Sequence, residues 1–280
     1  MPRMQGESVT TIERREIADA LARNVSLDAL RQHLEGAAAG EDLLRVVARF
    51  VHYASVFGGS QASLAGELSV RQDLFRLPGE PAAVADNGVE VAASIFFGAI
   101  DEFGDREMRR THRALGQAML KALTRYLGVS YERLDEIVLG HRPTREIVAR
   151  VLAGYGVNQV KDEAKLFRAF GFHLGTELLA DEEFAIFDRF FQTRRPDIVE
   201  HLQSTEMDVG GVMYPAYYWV KRHTVADAEH FEAAIDGANR ALRHYAGGAA
   251  RETVKRWLLE GVREIALVEL DFLRWVTVET

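Results

Sequence analysis

The chain has 280 residues, of which 48% are hydrophobic and 27% charged, and its formal net charge is −8 at pH 7. This composition is typical of a globular protein that buries a substantial core. The acidic balance and the lack of a long basic run argue against a nucleic-acid-binding surface, so we expect no nucleic-acid partner. No apolar stretch approaches the roughly 20 residues that a membrane-spanning helix needs, so we expect no membrane partner.

The sequence contains no cysteine. Disulfides, zinc–thiolate sites, iron–sulfur clusters and a cysteine nucleophile are therefore excluded. Any metal ion bound by this chain must be held by nitrogen and oxygen ligands. The N-terminal residues are charged and lack the hydrophobic core of a signal peptide, which leads us to expect a cytoplasmic location.

Helical spacing of apolar residues dominates the chain, and strand-like alternation is nearly absent. We expect Gly58 and Gly59 to break or bend one helix, and Arg195-Pro196 to stop another. In chain order, helical spacing covers residues 8–36, with Ser26 as a plausible N-cap, then 41–57 and 64–74. It continues over 89–127, with an interruption around Gly104 and Asp105, and over 131–139, 144–153 and 158–192. The last predicted helices lie between the loop at 210–215 and Gly247 and over 250–275. With no linker visible, we predict an all-α protein with one domain over 1–280, in which residues 1 to about 36 form an extra helical segment.

The strongest candidate site is the stretch 223–230, which reads His-Thr-Val-Ala-Asp-Ala-Glu-His. On an α-helix His223, Asp227 and His230 occupy positions i, i+4 and i+7, so their side chains leave the same face. Two imidazoles and one carboxylate on one face suit a divalent transition metal, iron in particular. The alternative is three unrelated polar residues on a solvated face.

A second pair of candidate ligands lies within the predicted helix 89–127. Glu102 and His112 would point about 80° apart on a straight helix. They converge only if the helix bends or bulges between them, which Gly104 permits. Asp105 fits a straight helix better and is the reserve candidate. The alternative is an exposed acid and an exposed histidine on a polar run.

A third candidate ligand, Glu177, stands in the apolar segment Phe-Gly-Phe-His-Leu-Gly-Thr-Glu-Leu-Leu at 170–179. A carboxylate buried there needs a cation or hydrogen-bond donors. The alternative is a structural ion pair with an arginine. His173, one turn earlier, is either a further ligand or a satisfied core residue. The three segments together offer three carboxylates and three histidines, a set that suits two iron ions.

These segments, in this order, resemble those of the haem-oxygenase-like diiron oxidases and oxygenases. The resemblance is carried by Asp101-Glu102-x-Gly104 with His112, by Gly171 to Glu177, and by His223-x3-Asp227-x2-His230, and it spans roughly residues 90 to 240. It implies a seven-helix haem-oxygenase-like bundle that binds two iron ions and uses dioxygen as co-substrate. It also implies one iron held mainly by Glu102, His112 and His230, and another held mainly by Glu177, His223 and Asp227.

The chain also resembles the N-oxygenating branch of this family, through a general likeness in segments such as 170–184 and without a diagnostic motif. The expected reaction is oxidation of a small amine, for example an amino-heteroaromatic, to a hydroxylamine or nitro product in a biosynthetic pathway. The expected partners are that amine or amino-acid-like substrate and an external electron donor, and a homodimer is left open. One alternative is a diiron oxidase that cleaves or desaturates an amino acid or fatty acid. Another is a non-catalytic helical binding protein.

Overall fold

The computed structural model describes residues 10–37, 40–77, 79–81, 84–104 and 110–279, with the side chains of 225–228 left out. Over these ranges the chain is predominantly helical, as predicted. The α-helices are α1 (Arg14–Ala22), α2 (Asp28–Gly36), α3 (Gly40–Ala54), α4 (Phe57–Ser69), α5 (Gly88–Glu102), α6 (His112–Tyr126), α7 (Tyr131–Asp135), α8 (Arg142–Gly154), α9 (Glu163–Arg194), α10 (Pro196–Ser204), α11 (Tyr218–His244) and α12 (Arg251–Trp275). A π-helical turn covers Glu136–Gly140, and two short strands are β1 (Glu206–Val209) and β2 (Val212–Pro215).

Helix α9 lies at the centre of the bundle. It is 32 residues long, and its middle section is buried on every side rather than on one face. It packs most extensively against α12 and α11. The approach to α12 is close because Gly171 lies against the main chain at Leu258 and Gly261 lies against the main chain at Arg168. These two glycines let the backbones of α9 and α12 touch. Helix α9 therefore runs through the core, and its carboxylates lie in the interior.

The helices that supply the candidate ligands are neighbours in space. Helix α11 packs against α5, α6 and α9, and α4 packs along α5. The start of α4 lies directly against the end of α5, because a Cβ placed on Gly58 would be 2.8 Å from the Cβ of Glu102. The sequence suggested that Gly58 breaks or bends a helix. Gly58 instead lies inside α4, at a close contact between two helices.

The N-terminal segment forms two helices, and the second begins just after Ser26, the N-cap that the sequence suggests. Helix α1 begins with a capping box in which the side chains and main-chain N–H groups of Glu13 and Glu16 bond reciprocally. The main chain leaves the helical path after α1, and the Asp28 N–H donates to the Ser26 hydroxyl at 3.3 Å where α2 begins. Residues 1–9 lie outside the described part of the chain.

Two elements were missed by the sequence reading. Pro196 ends α9 but also begins α10, because proline is well tolerated in the first turn of a helix. The glycines at 210 and 211 form a hairpin turn between β1 and β2, with φ angles of 63° and 87°. Two adjacent positive-φ residues suit the tight turn that joins antiparallel strands. No helix in the described ranges is long and apolar enough to cross a membrane.

We expect Gly171→Ala to lower the free energy of unfolding by about 3 kcal/mol or more, because the new methyl group would overlap the main-chain oxygen of Leu258. The matched control is Gly66→Ala, at an exposed helical position with open space around it. That variant should gain about 0.5–1 kcal/mol from alanine's higher helix propensity. Urea unfolding of both variants tests the α9–α12 contact, and equal stabilities would contradict it.

Candidate metal centre

Glu102 and His112 lie at the facing ends of two helices. Helix α5 ends at Glu102 and α6 begins at His112, and Gly104 between them has a left-handed φ of 95°. The chain leaves α5 through the left-handed conformation of Gly104, where the sequence predicts an interruption, and it is helical again from His112 onwards. His112 Nδ1 nevertheless lies 3.0 Å from Glu102 Oε1. The reserve candidate Asp105 lies outside the described residues.

His223 is oriented by the backbone of its own helix. Its Nδ1 lies 2.8 Å from the carbonyl oxygen of Trp219. Because a carbonyl only accepts, Nδ1 carries the proton and Nε2 presents its lone pair. Nε2 lies 3.7 Å from Glu102 Oε1, and the imidazole stacks on the ring of Phe184 with 3.8 Å between centroids. A fixed ring with a free Nε2 lone pair is the form in which histidine binds metals.

Glu102, His112 and His223 form a compact ligand set. One ligand atom from each lies within 4.8 Å of those of the other two, and both histidines are buried. Octahedral ligands about 2.1 Å from a metal are about 3.0 Å apart when adjacent and about 4.2 Å apart when opposite. The three side chains therefore match the dimensions of a transition-metal site, with nitrogen and oxygen donors in the proportions that iron accepts.

Glu177 and His230 lie beside this set. Glu177 is 3% exposed and receives a 2.6 Å hydrogen bond from the amide nitrogen of Gln61. His230 Nδ1 lies 3.9 Å from Glu177 Oε2, and His173 Nδ1 lies 3.4 Å from Glu177 Oε1. An arginine partner for Glu177 is not found among the described side chains.

The two histidines of α11 lie beside different carboxylates. His223 lies near Glu102, whereas His230 lies near Asp101 and Glu177. Trp219, one turn before His223, packs on Gly116 of α6. That contact holds His223 beside the start of α6, whereas His230 lies two turns further along. Asp227 lies within α11, but its side chain is not among those that the structure describes.

Asp101 is a member of the cluster that the sequence reading did not single out. Its Oδ2 lies 3.4 Å from His112 Nε2 and 3.6 Å from His230 Nε2. Its Oδ1 accepts a hydrogen bond from Arg222. Asp101 is 7% exposed, and Oδ2 has no hydrogen-bond donor within the described part of the chain. A buried carboxylate oxygen aimed between two imidazoles fits a site whose positive charge is supplied by a bound cation.

Burial and mutual charge shift the titration of the cluster. Burial raises the pKa of Glu177 to about 8, and the charge of Glu102 adds to this rise. Burial acts in the same direction on Glu102, but the charges and hydrogen bonds of His112 and His223 outweigh it and hold the pKa of Glu102 well below its usual range. Glu102 in turn raises the pKa of His112, against the effect of burial. Without metal, a proton on Glu177 therefore removes part of the negative charge at neutral pH.

His173 belongs to the wall behind Glu177. It is buried, and burial with the charge of His230 lowers its pKa to about 3, so the imidazole is neutral. Its Nδ1 lies 3.3 Å from the hydroxyl oxygen of Tyr155. Of the two roles left open by the sequence, the contacts favour a satisfied core residue that supports Glu177.

A cavity of about 60 Å³ adjoins the cluster. This free volume accommodates a few water-sized groups and no long chain. Its wall contains the aromatic rings of Phe50, Tyr53, Phe57, Phe184 and Trp219, with polar groups from Ser55, Gln61, Thr176 and Glu183 and the candidate ligands Glu102, His112, Glu177, His223 and His230. Arg113 and Gln117, which are exposed, stand where the cavity meets solvent. The cluster can therefore meet only a small molecule.

No protein-family model matches the chain, and no curated protein matches it.

Sequence reasoning missed Asp101, Gln61 and Glu183 for related physical reasons. Asp101 stands next to Glu102, and adjacent residues of a helix point about 100° apart, so helical periodicity does not bring both to one site. Gln61 and Glu183 belong to helices whose place around the cavity depends on tertiary packing. The available signal was weak: a polar residue at an otherwise apolar helical position.

In the metal-free protein, Glu177→Gln should remove a pH-dependent loss of stability. The folded-state pKa of Glu177 is about 8 and its ordinary value is 4.5. The stability that protonated Glu177 contributes to the fold is therefore complete below about pH 4.5 and is lost as the pH rises through 8. From about pH 5 to about pH 9, the free energy of unfolding of the variant should gain on that of the wild type by on the order of 3 kcal/mol. Glu182→Gln, at an exposed position on the same helix, should follow the wild type; a constant difference for Glu177→Gln would refute the assignment.

Proposed function

We propose that this protein is a non-haem diiron enzyme of the haem-oxygenase-like type that uses dioxygen to oxidise the nitrogen of a small amine. The observation that carries the proposal is the buried convergence of Glu102, His112 and His223, with Glu177 and His230 beside them, on one small cavity. Four helices separated in the chain, α5, α6, α9 and α11, supply these groups. Five unrelated polar side chains have no reason to meet in an apolar interior unless they bind something.

Each residue of the cluster has a defined part in holding iron. Glu102 and Glu177 offer carboxylate oxygens, and His112, His223 and His230 offer imidazole nitrogens. Hydrogen bonds from the Gln61 amide to Glu177 and from His223 to the Trp219 carbonyl orient two of these ligands. Bound ferrous iron would supply the electrons and the binding positions that activate dioxygen.

The protein environment suits such a reaction. The stack of Phe184 on His223 and the aromatic wall around it keep bulk water from the cluster. The reaction R–NH2 + O2 + 2 H⁺ + 2 e⁻ → R–NHOH + H2O balances only with two external electrons, so a reductant must act as partner. A second and third round would carry the hydroxylamine to a nitro product.

The cavity favours a small substrate over a fatty acid. Its volume of about 60 Å³ corresponds to a few heavy atoms, whereas an acyl chain needs a long apolar tunnel. This observation supports a small amine or amino-acid-like substrate. A cytoplasmic location and a possible second copy of the chain stay predictions.

The decisive experiment is an anaerobic titration with ferrous iron, followed by iron analysis per chain. We expect two irons in the wild type and a loss of at least one in His112→Ala and His223→Ala. His201→Ala is the matched control, since His201 stacks near Tyr126 on α10 away from the cluster, and it should retain both irons. Helical circular dichroism checks that each variant is folded.

The iron-loaded protein should then consume dioxygen when given a reductant and a panel of amines. Hydroxylamine or nitro products support the proposal. An alkene or a released one-carbon fragment would point to oxidative cleavage instead. A folded wild-type protein that takes up no iron would rule out the oxygenase and leave a binding protein.

A further inference from the structure

A pair of buried carboxyl groups stands at the cavity, apart from the candidate ligands. Glu183 follows Glu177 on α9 by less than two turns and lines the cavity. Glu269 of α12 is fully buried and accepts a 2.8 Å hydrogen bond from the Tyr53 hydroxyl through Oε2. The side chain of Glu183 is its other hydrogen-bond neighbour. Two carboxyl groups bond to each other only by sharing a proton, and the pair therefore has a proton between its members.

The shared proton leaves one negative charge on the pair. Burial raises the pKa of Glu269, although the hydrogen bonds from Glu183 and Tyr53 act against this rise. Of the two residues, Glu183 is the one that lines the cavity. The Glu269 Oε1 atom accepts no hydrogen bond from the described residues.

Several polar side chains that line the cavity use their donors within the protein. Four side chains that line it already donate to other groups of the protein: Tyr53 to Glu269, Ser55 to the His52 carbonyl, Thr176 to the Phe172 carbonyl and Gln61 to Glu177. Gln61 is 4% exposed, and its Oε1 has no donor within the described part of the chain. A ligand that satisfies this wall must bring N–H groups, and beside Glu183 it should bring positive charge.

The shape of the cavity adds a further restriction. Aromatic rings from Phe50, Phe57, Phe184 and Trp219 form much of the wall, and such rings bind flat cations well. The small volume admits only a few heavy atoms. Arg113 is exposed at the rim, where solvent screens its charge from the interior.

We propose that Glu183, through the proton it shares with Glu269, binds the cationic nitrogen group of the substrate, and that this substrate is a small planar cation of the amidinium class. The inference rests on the proposed function, because it places the amine to be oxidised between Glu183 and the metal ligands. Glu183 would thus determine specificity: it selects nitrogen-rich cations and rejects carboxylic acids.

The test is calorimetric titration at about pH 7 with acetamidinium, its neutral isostere acetamide, and acetate, on metal-free protein and on protein loaded anaerobically with ferrous iron. The wild type should bind acetamidinium and show no measurable affinity for the other two. Glu183→Gln should weaken acetamidinium binding at least about tenfold, the usual effect of losing a charge-assisted hydrogen bond. Glu182→Gln, an exposed neighbour, should bind like the wild type.

Glu269→Gln tests whether a neutral hydrogen-bond donor can replace Glu269 beside Glu183. Its amide N–H can replace the shared proton as donor to Glu183, so acetamidinium binding should stay within about threefold of the wild type. The proposal is overturned if Glu183→Gln binds as the wild type does, if acetamide or acetate binds as well as acetamidinium, if no probe binds, or if Glu269→Gln loses binding as fully as Glu183→Gln.

Iron uptake is measured on the same samples, which keeps the two proposals apart. Acetamidinium binding that depends on Glu183 in a protein without iron affinity would sink the oxygenase and leave the cation site standing. If the protein binds two irons but acetamidinium binding does not depend on Glu183, the cation site is refuted and the oxygenase proposal stands. With an active amine substrate, Glu183→Gln should raise KM more than it lowers kcat, a split that a purely structural role would not produce.

Discussion

Negative charge buried inside an apolar helical bundle is the constraint on which the rest of the structure depends. Asp101, Glu102 and Glu177 lie within a few ångströms of three imidazoles, and Arg222 is the one guanidinium that the described contacts place on them. Such a group of carboxylates is costly to bury without compensating charge. Protons supply part of that charge in the metal-free protein, and two divalent cations would supply it fully. Stability and ligand binding are therefore in opposition at this site, as is usual for functional centres.

The bundle keeps this arrangement in place through helix contacts that leave little freedom. Gly171 and Gly261 bring the backbones of α9 and α12 together, and Gly58 admits the end of α5 beside α4. Close backbone approach fixes the rotation of α9, so Glu177 and Glu183 point to the same cavity from successive turns. Glu177, one of the candidate metal ligands, and Glu183, the proposed cation-binding carboxylate, therefore lie on one helix. A substrate bound by Glu183 would be held at a set distance from Glu177, which is a condition for efficient oxidation.

The sequence predicted the helical class and the spacing of His223 and His230, because both follow from local periodicity. It predicted an interruption around Gly104 and the approach of Glu102 to His112. A glycine permits either a bend or a break there, and only packing decides between the two. The hairpin was read as a loop, although adjacent glycines at 210 and 211 are also typical of a two-residue turn. Asp101, Gln61 and Glu183 escaped notice because each acquires its meaning from a helix distant in the chain. Sequence periodicity identifies residues on the same face of a helix. Tertiary packing decides which helix faces meet at one site.

The hydrogen bond between His223 and the Trp219 carbonyl has a consequence for folding as well as for chemistry. The orienting group is a main-chain oxygen one helical turn away, so no separate side chain has to be recruited to set the tautomer. The imidazole is consequently prepared as soon as the first turns of α11 form, before any tertiary contact is made. Loss of those turns would free the ring to exchange its proton between its two nitrogens. The ability of His223 to coordinate a cation therefore depends on the helical order of its own backbone.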